Sequence, residues 1–223
     1  MAEQTTEPSA EPATGPGPDR PTYPAAPWVM SGQLWLSLFK LGEALDERRP
    51  AGVYGAAFVS YEPPSPLTYS ELLVARTVPT PDGGRGRVVS ITDIWVDSPA
   101  SVAGGRELWA IPKELCDFEL DSVRRGPLTT TDWAASFGRR PIASASFTDV
   151  SRAMLRVPLK GGTWQPGIDD TDGEDRSADL RGSSKTLPCR GHWDFDPDGP
   201  LGWLRGARQL ASFRQADFRM SFG

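Results

Sequence analysis

Leu34-Trp35-Leu36-Ser37-Leu38-Phe39 reads as a β-strand with apolar side chains on both faces. At a side-chain period of two, Leu34, Leu36 and Leu38 share one face, and Trp35, Ser37 and Phe39 share the other. The same reading extends outward along the chain. Val53 to Tyr61 and Thr68 to Val78 are two further strands, separated by Pro63-Pro64-Ser65-Pro66, which breaks pairing because proline has no N–H to donate. The stretch Thr77 to Arg87 contains Pro-Thr-Pro-Asp-Gly-Gly, a loop that leads into the apolar run Val88 to Val96 as a hairpin. Ile142 to Val157 supplies more strand. At the C-terminal end Phe218, Met220 and Phe222 alternate with Asp217, Arg219 and Ser221, one face buried and one polar.

Ser98-Pro99 carries a helix start, with Ser98 as N-cap and Pro99 at the first helical position. Gly104-Gly105 is read as its stop, which makes the helix short, and Leu108 to Val123 is read as extended. Residues 166–183 hold six carboxylates and little apolar content; EF-hand spacing is absent, so they are read as a solvated loop. No internal repeat is visible. The 22 prolines and 23 glycines favour many short segments over long helices. The fold class is therefore mainly β with one or two short helices, arranged as a closed antiparallel β-barrel or a double sheet. Residues 1–24 contain almost no large apolar side chain and are expected to form a disordered tail. Residues 25–223 then make one domain, a length that supports a single core.

Composition excludes several function classes. A net charge of −5 argues against a nucleic-acid partner, since phosphate binding needs clustered cations. No apolar run approaches the roughly 18 residues needed to cross a bilayer. The N-terminal residues have neither the basic nor the apolar region of a signal peptide, so a cytoplasmic location with Cys116 and Cys189 reduced is expected. His192 is the only histidine. That leaves no His-rich metal site and makes a Ser-His-Asp triad depend on this one ring, which is read as a surface or interface side chain. No cofactor and no metal are expected.

The lysines carry the chemical signal. There are four, against twenty arginines. Lys160 and Lys185 are flanked by Gly or Ser and read as solvated charges in loops, and Lys40 ends a strand and snorkels to water. Lys113 interrupts an apolar stretch. If that stretch is a strand, Ile111, Lys113 and Leu115 share a face while Pro112 and Glu114 face away. A lysine between aliphatic neighbours is desolvated. Desolvation lowers its pKa from about 10.4 by up to 3–5 units and yields the neutral amine that Schiff-base chemistry needs. From the pattern alone, a lysine without a catalytic role is the stronger reading.

Gly105-Arg106-Glu107-Leu108-Trp109-Ala110-Ile111-Pro112-Lys113-Glu114-Leu115 resembles the signature of acetoacetate decarboxylase-like proteins, a Gly-Arg-Glu followed by Pro-Lys. The preceding Trp95-Val96-Asp97-Ser98-Pro99-Ala100 is similar to the family's entry into that motif. Tyr69-Ser70-Glu71 resembles the stretch that places an acidic catalytic residue, and Phe218 to Gly223 resembles the ending of small members. The resemblance spans roughly residues 25–223. It implies a closed β-barrel with a deep apolar pocket, a small-molecule keto substrate, a homo-oligomer, an imine at Lys113 and proton handling by Glu71. Gln33, Arg106, Trp109 and Ile111 are the candidate substrate-binding residues. For Arg106, with Glu107, a structural ion pair or backbone hydrogen bonds are the stronger expectation, and for Trp109 and Ile111 core packing competes.

Three departures from the family pattern bear on the reaction. Glu114 stands where the decarboxylase proper has a second lysine, Gln33 stands for the arginine that helps hold the substrate carboxylate, and the strand Val53 to Tyr61 offers no second active-site glutamate. The imine survives these changes better than decarboxylation does. The expected activity is thus a lyase-type imine enzyme acting on β-keto or α-keto acids, by decarboxylation or by aldol condensation and dehydration, with a place in secondary metabolism. Two alternatives stay open: noncovalent binding or cyclisation of an apolar, polyketide-like ligand with Lys113 as a polar anchor, and a purely structural module.

Overall fold

A computed structural model describes residues 21–150 and 155–223. Strands β1 (Trp28–Leu41), β2 (Gly52–Glu62), β3 (Tyr69–Pro79) and β4 (Arg87–Val96) precede helix α1 (Pro99–Trp109). After it come β5 (Glu114–Leu115), β6 (Asp117–Arg125), β7 (Leu128–Phe137), β8 (Arg140–Val150) and β9 (Arg156–Gln165). The chain continues with β10 (Arg176–Pro188), β11 (Arg190–Phe195) and β12 (Arg208–Phe222), and two short 3₁₀ turns cover Asp169–Thr171 and Gly202–Gly206.

Seven strands close a barrel in the order β3-β2-β1-β12-β10-β9-β4, with β4 pairing back onto β3. An odd number of strands cannot alternate in direction all the way round, so one seam must be parallel. That seam is β4–β9, reduced to the single pair Val89↔Thr163. The buried side chain of Gln165 reinforces it as a spare peptide unit would. Its Oε1 accepts from the Ile91 N–H at 2.8 Å and from the Ser90 hydroxyl at 3.0 Å, and its Nε2 donates to the Ile91 carbonyl at 3.1 Å. The expected closed antiparallel barrel is thus present, with one parallel join.

Strands β11-β8-β7-β6 form a second, four-stranded antiparallel sheet packed on the outside of the barrel. The two faces of β1 therefore have different destinations. Trp35 and Phe39 enter the core between barrel and second sheet, where the Phe58 ring stacks on Trp133 at 5.1 Å and on Trp193 at 5.2 Å. Leu34, Leu36 and Leu38 face the barrel interior, where they line a cavity. Both faces are apolar because both are covered.

The strand breaker at Pro63–Pro66, the β3–β4 hairpin, the Ser98 cap and the final strand lie where the sequence puts them. Other readings need correction. Gly104-Gly105 does not end α1, which runs to Trp109 and closes with Ala110 in the left-handed region (φ 53°), its N–H bonded to the Arg106 carbonyl. Leu108 to Val123 is consequently helix end, a short irregular link and only then strand. Residues 176–183 are not loop but part of β10, which pairs on both sides within the barrel; the acidic loop is confined to 166–175. Lys160 and Lys185 are likewise on strands, with the former exposed and the latter paired with Asp217. The strand read over 142–157 is two, β8 and β9, and residues 151–154 between them lie outside the described residues. The same holds for residues 1–20 of the expected tail, whereas Tyr23 already donates its hydroxyl to Glu107 at 2.5 Å. No helix of the described residues is long and apolar enough to cross a membrane.

Candidate active site

Register brings the two principal candidates together. Glu71 on β3 is paired with Val96 on β4, and Val96 is paired on its other side with Leu115 of β5. Lys113 lies two residues before Leu115, at the end of the link from α1, so its side chain crosses the end of β4 toward Glu71. Tyr69 and Glu71 both face the barrel interior because they are two apart on one strand. Helix α1 supplies the rest. Its buried residues are Ser101, Gly104, Gly105 and Trp109, an i, i+3, i+4, i+8 stripe of mostly small side chains. A Cβ on Gly105 would fall 2.8 Å from Lys113 Cδ and one on Gly104 2.6 Å from the Trp28 ring. This is why the glycine pair sits inside the helix: it gives Lys113 and Trp28 room to lie against the backbone.

The Lys113 ammonium is 5% exposed and finds an acceptor for each of its three N–H bonds. These are Glu71 Oε2 at 2.9 Å, the Ser101 hydroxyl at 2.9 Å and the Tyr69 hydroxyl at 3.2 Å. Glu71, 3% exposed, receives a further hydrogen bond on Oε1 from Tyr61 at 3.1 Å. Burial works against the charge on Lys113, yet the Glu71 carboxylate, helped by Tyr69, outweighs it and holds the pKa above the usual lysine value. The expectation that desolvation leaves a neutral amine is therefore corrected: the free site stores Lys113 as the charged half of a buried ion pair. Burial, reinforced by Glu71, pushes the Tyr61 hydroxyl well up, and burial also raises Tyr69 against the opposing pull of Lys113, so both phenols stay protonated.

Lys113 and Glu71 line the closed end of a cavity of about 550 Å³, a size that takes a small organic molecule. Trp28, Met30, Val59, Trp109, Ile111 and Phe222 surround that end. Trp109 and Ile111 thus reach the cavity as well as the core, with the Trp109 ring edge-on to Trp28 at 4.8 Å and to Phe222 at 4.7 Å. Arg106 and Gln33 are not brought there. Arg106 binds Asp170 at 2.8 Å and the Lys113 carbonyl at 3.3 Å, tying the helix to the acidic loop and to the lysine's backbone. Gln33 faces outward and accepts from Arg214 at 2.5 Å, while Arg214 also binds buried Asp149 on β8 at 2.9 Å, a link between barrel and second sheet. Glu114 accepts from the Trp95 indole at 3.2 Å, away from the Lys113 amine. His192 is exposed on β11. The residues of β2 that line the cavity are Val53, Gly55, Ala57, Val59 and Tyr61, without a carboxylate. Among the described residues no three His, Cys, Asp or Glu side chains gather as metal ligands.

Sequence reasoning missed Tyr61, Tyr69 and Ser101. Tyr69 had a legible signal, since it shares the face of Glu71, and the small-residue stripe beginning at Ser101 marks a helix face under close packing. Tyr61 had none, because its hydrogen bond to Glu71 depends on the β2–β3 register.

Three solved structures share this architecture. An acetoacetate decarboxylase from Legionella pneumophila is 16% identical with a TM-score of 0.61, over 93% of this chain and 90% of that one. A second structure of acetoacetate decarboxylase is 13% identical with a TM-score of 0.57, over 91% and 88%. An acetoacetate decarboxylase-like enzyme from Sphingomonas wittichii RW1 is 14% identical with a TM-score of 0.54, over 88% and 90%. At such identities the likeness concerns the fold. No curated protein matches the sequence. The family model described as acetoacetate decarboxylase matches residues 43–165, more than half of the chain and the part that carries both Glu71 and Lys113. The chain belongs to the acetoacetate decarboxylase family.

Proposed function

We propose that the chain is a lysine-imine enzyme whose substrate is an apolar ketone or aldehyde. The observation that carries this reading is the Lys113 amine, buried at the closed end of an apolar cavity and 2.9 Å from the Glu71 carboxylate. Glu71 takes the ammonium proton as substrate arrives, and the freed amine attacks the carbonyl carbon. The alkoxide takes a proton given up by the now positively charged nitrogen, and protonated Glu71 then protonates the resulting hydroxyl, so that water leaves and an iminium remains. The iminium accepts the electron pair of a bond broken at the neighbouring carbon, giving an enamine. Reprotonation there and hydrolysis by water return product and free lysine. Tyr61 holds Glu71 through Oε1, which keeps Oε2 aimed at the amine. Tyr69 and Ser101 keep the amine in place in either protonation state, since a hydroxyl can turn from acceptor to donor.

The wall around Lys113 bears on which bond breaks. Among the described residues, the groups that contact the Lys113 amine are neutral or acidic (Tyr69, Ser101 and Glu71), and the cavity's other cations, Arg76 and Lys160, are not among them. A β-keto acid would bring its carboxylate toward Glu71 with only the reacting lysine as partner. This favours aldol, retro-aldol or dehydration chemistry over decarboxylation. The raised pKa of Lys113 supports a second reading, in which the ammonium anchors an apolar ligand without a covalent step.

Borohydride reduction in the presence of a panel of ketones and keto acids, followed by intact mass and peptide mapping, separates the two. The imine reading expects a reduced adduct on Lys113 that is absent in Lys113→Ala. Saturable ligand binding without any adduct would overturn it in favour of the noncovalent reading.

A further inference from the structure

The barrel interior is not filled by its own side chains. On β1, Leu34, Leu36 and Leu38 point inward and are only half-buried, whereas Trp35 and Phe39 on the opposite face are at most 4% exposed. The same holds on β3, where inward-facing Leu73 is half-buried and outward-facing Leu72 and Val74 are fully buried. Protein interiors pack to the density of organic crystals, so aliphatic side chains left bare inside a barrel mark space kept for a ligand.

The strands give that space its shape. Glu71, Leu73, Ala75 and Thr77 share the inward face of β3, and the steps from first to last cover about 20 Å. Their neighbours on β2 are Val59 beside Glu71, Ala57 beside Leu73 and Gly55 beside Ala75. The cavity of about 550 Å³ is therefore longer than it is wide. The rings of Trp28, Trp109 and Phe222 close it around Lys113, while Val53, Thr77 and Val89 are exposed at the open rim. Between the two ends the inward side chains of β1, β2 and β3 are aliphatic or, at Gly55, absent. Gly55 and Ala75 make a cross-strand pair of small residues about 13 Å along β3 from Glu71, and nothing larger than a methyl group projects from it.

We infer that this channel measures the length of its substrate, a linear aliphatic ketone or aldehyde with its carbonyl near one end, at Lys113, and its tail running past the Gly55–Ala75 pair. This rests on the imine reading and names its substrate class. An extended chain advances about 1.3 Å per carbon, so about ten carbons reach Ala75 and about fifteen reach the rim. Ala75 sets the length limit, because a larger side chain there would stand across the path of the tail.

Calorimetric titration of the full chain with 1-hexanol, 1-octanol and 1-decanol tests the channel without requiring an imine. Affinity is expected to rise about fourfold per added methylene, the worth of burying one such group. In Ala75→Leu the rise is expected to stop near octanol, so that decanol binds at least about tenfold more weakly than to the parent chain. Ala75→Val is expected to give a smaller loss at the same length, which separates a blocked channel from a misfolded one. Affinity that does not depend on chain length overturns the proposal, as does decanol binding equally tightly to the parent and to both variants. Tighter binding of the compact alcohol 1-adamantanemethanol than of 1-decanol overturns it too. Borohydride trapping with acetone and 2-undecanone then separates the two readings. The longer ketone is expected to label Lys113 at a concentration at least about a hundredfold lower. Labelling by both at the same concentration keeps the imine and overturns the channel. Alcohols that follow the length series, with no adduct from either ketone, leave the channel standing and refute the imine.

Discussion

Replacing Glu71 by glutamine keeps the shape of the side chain and removes the charge that holds the Lys113 proton. Both groups are almost completely buried, at 3% and 5% exposure, so solvent does little to screen the loss. Breaking a buried pair by removing one partner costs about 3–5 kcal/mol, because the remaining charge is left uncompensated. In a domain of this size that lowers Tm by roughly 6–20 °C, at about 2–4 °C per kcal/mol. The pH dependence should also change sign. In the parent chain Lys113 holds its proton more tightly folded than unfolded. Its contribution to stability is therefore complete below the unfolded value near 10.4 and is lost as pH rises through the folded one. In Glu71→Gln only burial acts, the folded chain holds the proton less tightly than the unfolded chain, and stability rises with pH. Urea midpoints for both proteins between pH 6 and 9.5 measure the gap, which should narrow toward alkaline pH. The double variant Glu71→Gln/Lys113→Met, with no buried charge left, should recover most of the loss at neutral pH. A single variant within about 1 kcal/mol of the parent, with a parallel pH profile, would refute the electrostatic account of this pair.

Other elements give independent tests. In Gly105→Ala the new Cβ meets Lys113 Cδ at 2.8 Å, so the lysine must shift; adduct trapping should slow about a hundredfold, although alanine favours the helix by about 1 kcal/mol. Trapping at the parent rate would show that Lys113 tolerates the displacement. Gln165→Leu leaves the half-buried N–H and carbonyl of Ile91 without these partners and should cost about 1–3 kcal/mol, read from urea midpoints and from faster hydrogen exchange at the Ile91 amide. Burial, with Asp117 adding to it, pushes the Cys116 thiol up to about 12, and burial likewise pushes Cys189 to about 11. A chromogenic disulfide at pH 8 should modify both thiols at least about a hundredfold more slowly in the folded chain than in urea. Because the unfolded thiols ionise near pH 8.5 and the folded ones do not, stability should fall above that pH in the parent and less so in a Cys116→Ala/Cys189→Ala variant.

Local sequence determined which segments are strands, where they break and which residues face the same way. A two-residue period needs no partner to be read, so the two-faced strand around Leu34–Phe39, the Pro63–Pro66 interruption and the alternation at Phe218–Phe222 were legible. Lys113 and Glu71 were each legible as candidates through the resemblance of their motifs, but their contact was not. Everything that depended on what lies across the fold was decided by tertiary structure. Gly104-Gly105 reads locally as a helix stop and serves instead as packing space, because Trp28 and Lys113 arrive from elsewhere. Residues 176–183 look too polar for a strand, yet pairing with β9 and β12 on both sides satisfies their backbone and closes the barrel. Gln33 was expected at the substrate, but the β1 pleat turns it outward to Arg214. The charge on Lys113 reversed for the same reason. Desolvation can be guessed from aliphatic neighbours in sequence, whereas the carboxylate that overrides it lies 42 residues away and is brought to 2.9 Å only by the β3–β4–β5 register.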